Sequence, residues 1–286
     1  MRRTVHTVVF QASAGGGNPC PVTLEADGMT PEEMRQVAGA YGEESAFLMA
    51  PARPDCQVRA RYFVPLHEME MCVHATIASA TVLAEEGLVS ASPIFFETLL
   101  GPVQVDWERG EGGQIQVGVH QFLPKFLPQA PTPQEVCRAL RIGPEELGEG
   151  PIQSVATSRY KLIVPLKSRE VLDGLDPDFE LLWELCDRYE TTGFYPYARE
   201  EGPVFFARQF PKRAGYNEDP ATGVAASALG AYLAAHKLIP LQEGWNSCTV
   251  MQGFAMGRPS VIRSDVELRE GAITATRVRG SAWIDG

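Results

Sequence analysis

Basic residues are in short supply: 25 Lys and Arg stand against 36 Asp and Glu, a formal net charge of -11 over 286 residues. Nucleic acid and anionic membrane both reward a basic surface, so neither is the main partner. A small anionic metabolite is not excluded, because it responds to local charge. Paired cysteines are also missing. The six present (Cys20, Cys56, Cys72, Cys137, Cys186, Cys248) lie far apart, with no C-x-x-C and no His at metal-ligand spacing. They signal neither a zinc site nor a disulfide framework and read as reduced thiols, with no metal expected. Finally, the opening MRRTVHTVVFQAS has only Val8 to Phe10 as an apolar stretch before polar, Gly-rich sequence. That is too little for a signal-peptide core or a membrane span, and it reads as the first strand of a cytoplasmic protein.

What the chain does have is 44% apolar and 21% charged residues. At roughly 100 to 200 residues per domain, its length allows two cores. Residues 4 to 10 and 21 to 24 predict a hairpin around Gly15-Gly16-Gly17-Asn18-Pro19. Thr30-Pro31-Glu32-Glu33 marks a helix start, with Thr30 as N-cap and acids facing the positive end of the dipole, and the helix is expected to run to about Ala40. Strands are expected at Ser45 to Leu48, Val58 to Val64, Pro93 to Glu97, Val103 to Trp107 and Gln114 to Val119. Phe122 to Pro133, with four prolines (Pro124, Pro128, Pro131, Pro133), is the candidate linker between domains 1–122 and 135–286. In the second half, strands are expected near Ser154 to Ala156, Lys161 to Pro165, Val204 to Gln209, Cys248 to Met251, Ser260 to Ser264 and Ala272 to Val278. The terminal strand is the element that could cross between domains.

Residues 75 to 86 (ATIASATVLAEE) and 222 to 236 (TGVAASALGAYLAAH) are small or aliphatic on every side until their last turns. A surface helix shows a polar face, so these are expected to be enclosed by sheet. A shift of 148 residues lays Ala78-Ser79-Ala80 on Ala226-Ser227-Ala228, near the half-chain offset of an internal duplication. Two Ala-rich helices can also coincide by chance. If the duplication is real, a ligand is expected in the cleft between two similar domains.

Polar clusters precede both helices: Glu70 to Thr76, and Asn217 to Gly223. Unpaired amides at helix starts bind anions, so the pair would cradle a carboxylate without excess basic residues. A third cluster is Gly42-Glu43-Glu44-Ser45-Ala46-Phe47, where an enclosed carboxylate would have the raised pKa a general acid-base group needs. Each also has a plainer reading from spacing alone. Glu43-Glu44 can be a solvated turn, His74 a structural cap, Cys72 a buried thiol and Asp219 a helix cap.

Together the segments resemble the PhzF-like family of phenazine biosynthesis, in order along nearly the whole chain. The matching segments are Gly17-Asn18-Pro19, Glu44-Ser45-Ala46-Phe47, Phe63-Val64-Pro65 through Glu68 to Cys72-Val73-His74-Ala75-Thr76, Asp219-Pro220-Ala221-Thr222-Gly223, and Gln252-Gly253 with Met256-Gly257-Arg258-Pro259-Ser260. The resemblance implies an α+β, diaminopimelate-epimerase-like fold of two pseudo-symmetric domains, each a curled, barrel-like mixed sheet around a central helix. It also implies a homodimer and a cofactor-independent isomerase or epimerase. Glu44 would be the proton-carrying acid-base group, with His74 and Asp219 as catalytic partners. Gly17, Asn18, Cys72, Val73, Ala75, Thr76, Thr222, Gly223 and Val224 would contact a small carboxylate-bearing substrate. Val73 and Val224 depart from the family's glycine and serine, which implies a narrower and drier pocket. Two alternatives follow: a two-base epimerase using Cys72, and a catalytically degenerate member that binds a metabolite or a protein.

Overall fold

The computed structural model describes residues 2–284. The chain divides into two compact units, residues up to His120 together with those from Arg279 onward, and Gln121–Val278. In the first unit the order is β1 (Thr4–Val9), β2 (Asn18–Thr23), α1 (Pro31–Tyr41), β3 (Ser45–Met49), β4 (Val58–Phe63), β5 (Glu68–Met69), α2 (Val73–Glu85), β6 (Ile94–Thr98), β7 (Gly101–Arg109) and β8 (Ile115–Gln121). The second begins with β9 (Lys125–Phe126), α3 (Pro133–Leu140), β10 (Gln153–Ala156), β11 (Lys161–Leu166), α4 (Arg169–Asp173) and α5 (Phe179–Arg188). It continues with β12 (Gly193–Arg199), β13 (Val204–Ala207), β14 (Phe210–Pro211), α6 (Gly223–Ala235), β15 (Gly244–Gln252), β16 (Ser260–Arg269) and β17 (Ala272–Ile284).

The same pairing sequence runs through both units. In the first, β1 and β2 are antiparallel, β2 and β3 parallel, β3 and β4 antiparallel, and β4 and β6 parallel. In the second, β10 and β11 are antiparallel, β11 and β12 parallel, β12 and β13 antiparallel, and β13 and β15 parallel. A helical crossover spans each first parallel step, as parallel pairing requires: α1 in one unit, α4 and α5 in the other. The long helix, α2 or α6, precedes the last parallel strand. Each unit is thus the mixed sheet around one central helix that the sequence led us to expect.

Both central helices are 13 residues long, and in each the first 12 are buried. Their small side chains have a physical reason, since strands approach a helix closely on all sides only where little projects from it. α2 packs on β1, β2 and β3, and α6 on β10, β11, β15 and β16. At Gly230 the approach leaves no room for a side chain, for a Cβ there would stand 2.3 Å from Ser264 Oγ. The helices start at Val73 and Gly223, two residues out of step with the shift that aligns their Ala-Ser-Ala triplets.

The sequence reading needs correction in the second unit. The Pro-rich candidate linker holds β9, which pairs with β10, and is followed at once by α3. Helices α3, α4 and α5 were not expected, although Thr132-Pro133-Gln134-Glu135 repeats the start signal of α1, and both form complete capping boxes. β12 was also missed. Its Pro196 lies opposite Val164 in the interior of a parallel pair, where proline argues against a strand.

The last strand is shared, with its residues up to Val278 in the second unit and those from Arg279 in the first. There Ala282, Trp283 and Ile284 pair antiparallel with Val9, Val8 and Thr7. Phe10, in left-handed conformation (φ 63°), donates its amide to Ser281 O at 3.0 Å. Its ring lies over Gly280, where a Cβ would come within 2.4 Å of the ring. No helix among the described residues is long and apolar enough to cross a membrane.

Candidate active site

Gly42 ends α1 in left-handed conformation (φ 71°), its amide bonded to Ala38 O at 2.9 Å. The chain turns there, passes through Glu43 and Glu44, and enters β3 at the fully buried Ser45. The Glu44 side chain is left 14% exposed beside the start of α2.

Cys72 is the N-cap of α2, yet its side chain caps no amide of the helix. Instead the thiol donates to Glu44 Oε2 across 3.2 Å. His74 Nδ1 lies 3.1 Å from the same sulfur and 3.4 Å from the same oxygen. A thiol carries one proton and an ionised carboxylate only accepts, so with Glu44 ionised the Nδ1 position of His74 bears a hydrogen directed at sulfur and carboxylate. Nε2 is then an acceptor. It is buried and makes no hydrogen bond within the described residues, which marks a place for a donor supplied by a ligand.

Burial raises the Cys72 thiol well above its usual pKa, and the charges of Glu44 and Cys20 push the same way. Burial lowers the His74 pKa against the opposing pull of Glu44. At neutral pH, therefore, Cys72 is a thiol and His74 a neutral imidazole. With His74 neutral, its 3.4 Å approach to Glu44 is not an ion pair, and the two are joined through the Cys72 thiol, which bonds to both.

The first turn of α2 contains Val73, Ala75 and Thr76, all buried. The Thr76 hydroxyl donates to Cys72 O at 2.7 Å and meets the Tyr62 hydroxyl at 2.7 Å, and its amide also bonds to Cys72 O. These groups are taken up in fixing the helix start. At the β1–β2 turn, Gly17 has φ 87°, and a Cβ there would lie 2.6 Å from Val8 Cγ1 and 2.8 Å from Val9 O, so the turn itself requires glycine. Asn18 is buried opposite Val9.

In the second unit, Thr222 caps α6, with Gly223 and Val224 in its first turn, both buried. Its hydroxyl donates to Asp219 Oδ2. Gln252, fully buried, binds this corner together: its Nε2 donates to Asp219 O at 2.7 Å and to Thr222 Oγ1 at 3.1 Å. Its Oε1 accepts from the Thr222 amide at 3.2 Å and from the Tyr195 hydroxyl at 2.9 Å. Neither Gln252 nor Tyr195 was expected to serve the site. The Gln252-Gly253 motif was a signal for the first, and nothing in the sequence marked the second.

Glu44, Cys72 and His74 thus gather in one unit, Asp219, Thr222 and Gln252 in the other. The three donors of the first group lie within 4.8 Å of one another. Spacing along the chain predicted no such set, because Glu44 comes 28 residues before Cys72.

The fold and these residues define the class of isomerases and epimerases built from two sheet-and-helix units. Residues 7–285 match the family model described as phenazine biosynthesis-like protein, and the chain belongs to that family. It is 33% identical to an uncharacterized isomerase of Deinococcus radiodurans over 291 aligned residues, covering 100% of this chain and 93% of the relative. Trans-2,3-dihydro-3-hydroxyanthranilate isomerase of Pseudomonas aeruginosa is 28% identical, with 100% of this chain and 99% of that one covered. The crystal structure of a PhzF-family phenazine biosynthesis protein of Bacillus anthracis superposes with a TM-score of 0.88 at 26% identity, covering 99% of this chain and 96% of that one. The protein is an isomerase of this family.

Proposed function

We propose that the protein moves a proton between two positions of a small, carboxylate-bearing metabolite, with Glu44 as base and then acid and no cofactor. The observation that carries this reading is the Glu44 carboxylate, mostly withdrawn from water and fixed through Oε2 by Cys72 and His74. A carboxylate held in one orientation beside a neutral imidazole can take a proton from carbon and return it without losing its geometry. The thiol that bonds it stays protonated, so it supports the charge of Glu44 and is not itself a base. This speaks against the two-base reading with Cys72.

His74 Nε2 favours a substrate hydroxyl or ammonium, a donor rather than a carboxylate, at that point. The acid group of the substrate is assigned to the start of α2, and Asp219, positioned by Thr222 and Gln252, is the candidate polar group of the second unit. The substrate named for the Pseudomonas relative is not carried over. Val73 and Val224 bury branched side chains, each at the start of its own unit's central helix. We place the working enzyme in the cytoplasm as a homodimer.

The test is deuterium uptake from heavy water during turnover of candidate hydroxy or amino acids. Wild type incorporates label, and Glu44→Gln loses both turnover and label by on the order of 100-fold or more. Full label uptake by the variant would remove Glu44 from the mechanism.

A further inference from the structure

We infer that Glu44, Cys72 and His74 form a site for a thiophilic divalent cation of the zinc type. The separations are 3.2 Å between sulfur and carboxylate oxygen, 3.1 Å between sulfur and Nδ1, and 3.4 Å between Nδ1 and the oxygen. Tetrahedral zinc with ordinary bond lengths places nitrogen and oxygen donors about 3.3–3.5 Å apart and either of them about 3.5–3.7 Å from sulfur, so the sulfur edges would open by roughly 0.4 Å. The donors therefore already stand near the edges of one face of a coordination tetrahedron. Three protein ligands with a fourth position left over is the arrangement of an accessible zinc centre, whereas a structural centre is closed by four.

The donor types agree with this assignment. Thiolate and imidazole select zinc, cobalt(II) or cadmium over magnesium or calcium, which take oxygen ligands. The strongest charge influence on Cys72 and His74 is Glu44, and no Lys or Arg ranks among the main influences on either group. A dication entering here meets a carboxylate and a convertible thiol.

The balance of the binding step is simple. The ion displaces the Cys72 proton, which leaves to solvent, and bonds to the thiolate. The His74 hydrogen moves from Nδ1 to Nε2, and Nδ1 donates its lone pair to the ion. Glu44 contributes its existing charge, so carboxylate, thiolate and dication sum to zero in a buried place. Among the described residues Nε2 has no outer partner to hold the ring against the ion, so the site binds more weakly than one with a supported histidine.

The inference does not rest on the proton-transfer reading, but it bears on it. An ion on Oε2 removes Glu44 from acid-base work, and metal and substrate then exclude each other.

The test uses the full chain, stripped with chelator, dialysed, and titrated with cobalt(II) chloride. Wild type is expected to bind one equivalent, with the intense visible bands of tetrahedral cobalt and a near-ultraviolet thiolate charge-transfer band, both removed by zinc. Cys72→Ser should lose the charge-transfer band, and Glu44→Gln should weaken binding by at least the roughly tenfold that loss of an outer partner costs. Cys56→Ser, beside Asp55, should leave both unchanged, and near-ultraviolet circular dichroism verifies that each variant is folded. A pale octahedral spectrum in wild type, or a charge-transfer band that persists in folded Cys72→Ser, overturns the inference. None of these readings involves turnover, so failure here is separate from failure of the proposed function.

Discussion

Gln252→Leu tests whether the corner that carries Asp219 is held as the hydrogen bonds suggest. The side chain is fully buried and makes four bonds, accepting from the Tyr195 hydroxyl and the Thr222 amide and donating to Asp219 O and Thr222 Oγ1. Leucine fills similar space but answers none of them. Two buried donors are stranded, each costing about 1–3 kcal/mol, and the loss of the two donated bonds adds to this. The total is roughly 3–5 kcal/mol, at the top of the range for single substitutions. Tyr195→Phe is the control. It removes one of two donors to Oε1, leaves the Thr222 amide in place, and should cost about 1 kcal/mol. Urea unfolding at equilibrium, followed through Trp183 and Trp245 of the second unit, measures both. If Gln252→Leu falls within about 0.5 kcal/mol of wild type, or Tyr195→Phe costs as much as Gln252→Leu, the network does not hold the corner.

Two glycines should separate conformational strain from steric exclusion. At Gly42 a Cβ meets nothing within 4 Å, so Gly42→Ala costs only the left-handed conformation, about 1–2 kcal/mol, while at Gly17 the added atom strikes Val8 and the Val9 carbonyl and the loss should be clearly larger. Equal losses in urea unfolding would contradict the geometry. His74 should impose a pH dependence on stability. Its folded pKa lies below the unfolded value of about 6.5, so between the two the unfolded chain holds more protons and stability rises with pH. The contribution is complete above about pH 6.5 and is lost as pH falls through the folded pKa. Melting temperatures from pH 7.5 to 5 should drop more steeply for wild type than for His74→Gln, and parallel curves would show that His74 is not buried neutral.

Where local chemistry and tertiary structure agree, the sequence was readable. Thr30, Pro31 and Glu33 form the cap they suggest, and the featureless Ala-rich segments are the enclosed helices. Other elements depend on partners far away in the chain. β12 tolerates Pro196 because the sheet on both sides settles its conformation, a fact absent from GFYPYAR itself. The short strands β5, β9 and β14 exist only by pairing. In the site, ordered motifs drew attention to Glu44 and His74. Their meeting at Cys72 depends on how α1 ends and α2 begins, and no spacing rule contains that.

The divided last strand has a consequence for synthesis. The first unit is built from residues at the beginning of the chain and from its final segment, so a ribosome cannot release it finished. Until the last residues emerge, the β1 backbone at Thr7, Val8 and Val9 lacks its partners Ile284, Trp283 and Ala282, and the Phe10 ring lacks its cover at Gly280. The nascent protein therefore carries an open, apolar sheet edge until residues 279–284 have been made. Any truncation before Arg279 leaves that edge to be answered by another chain.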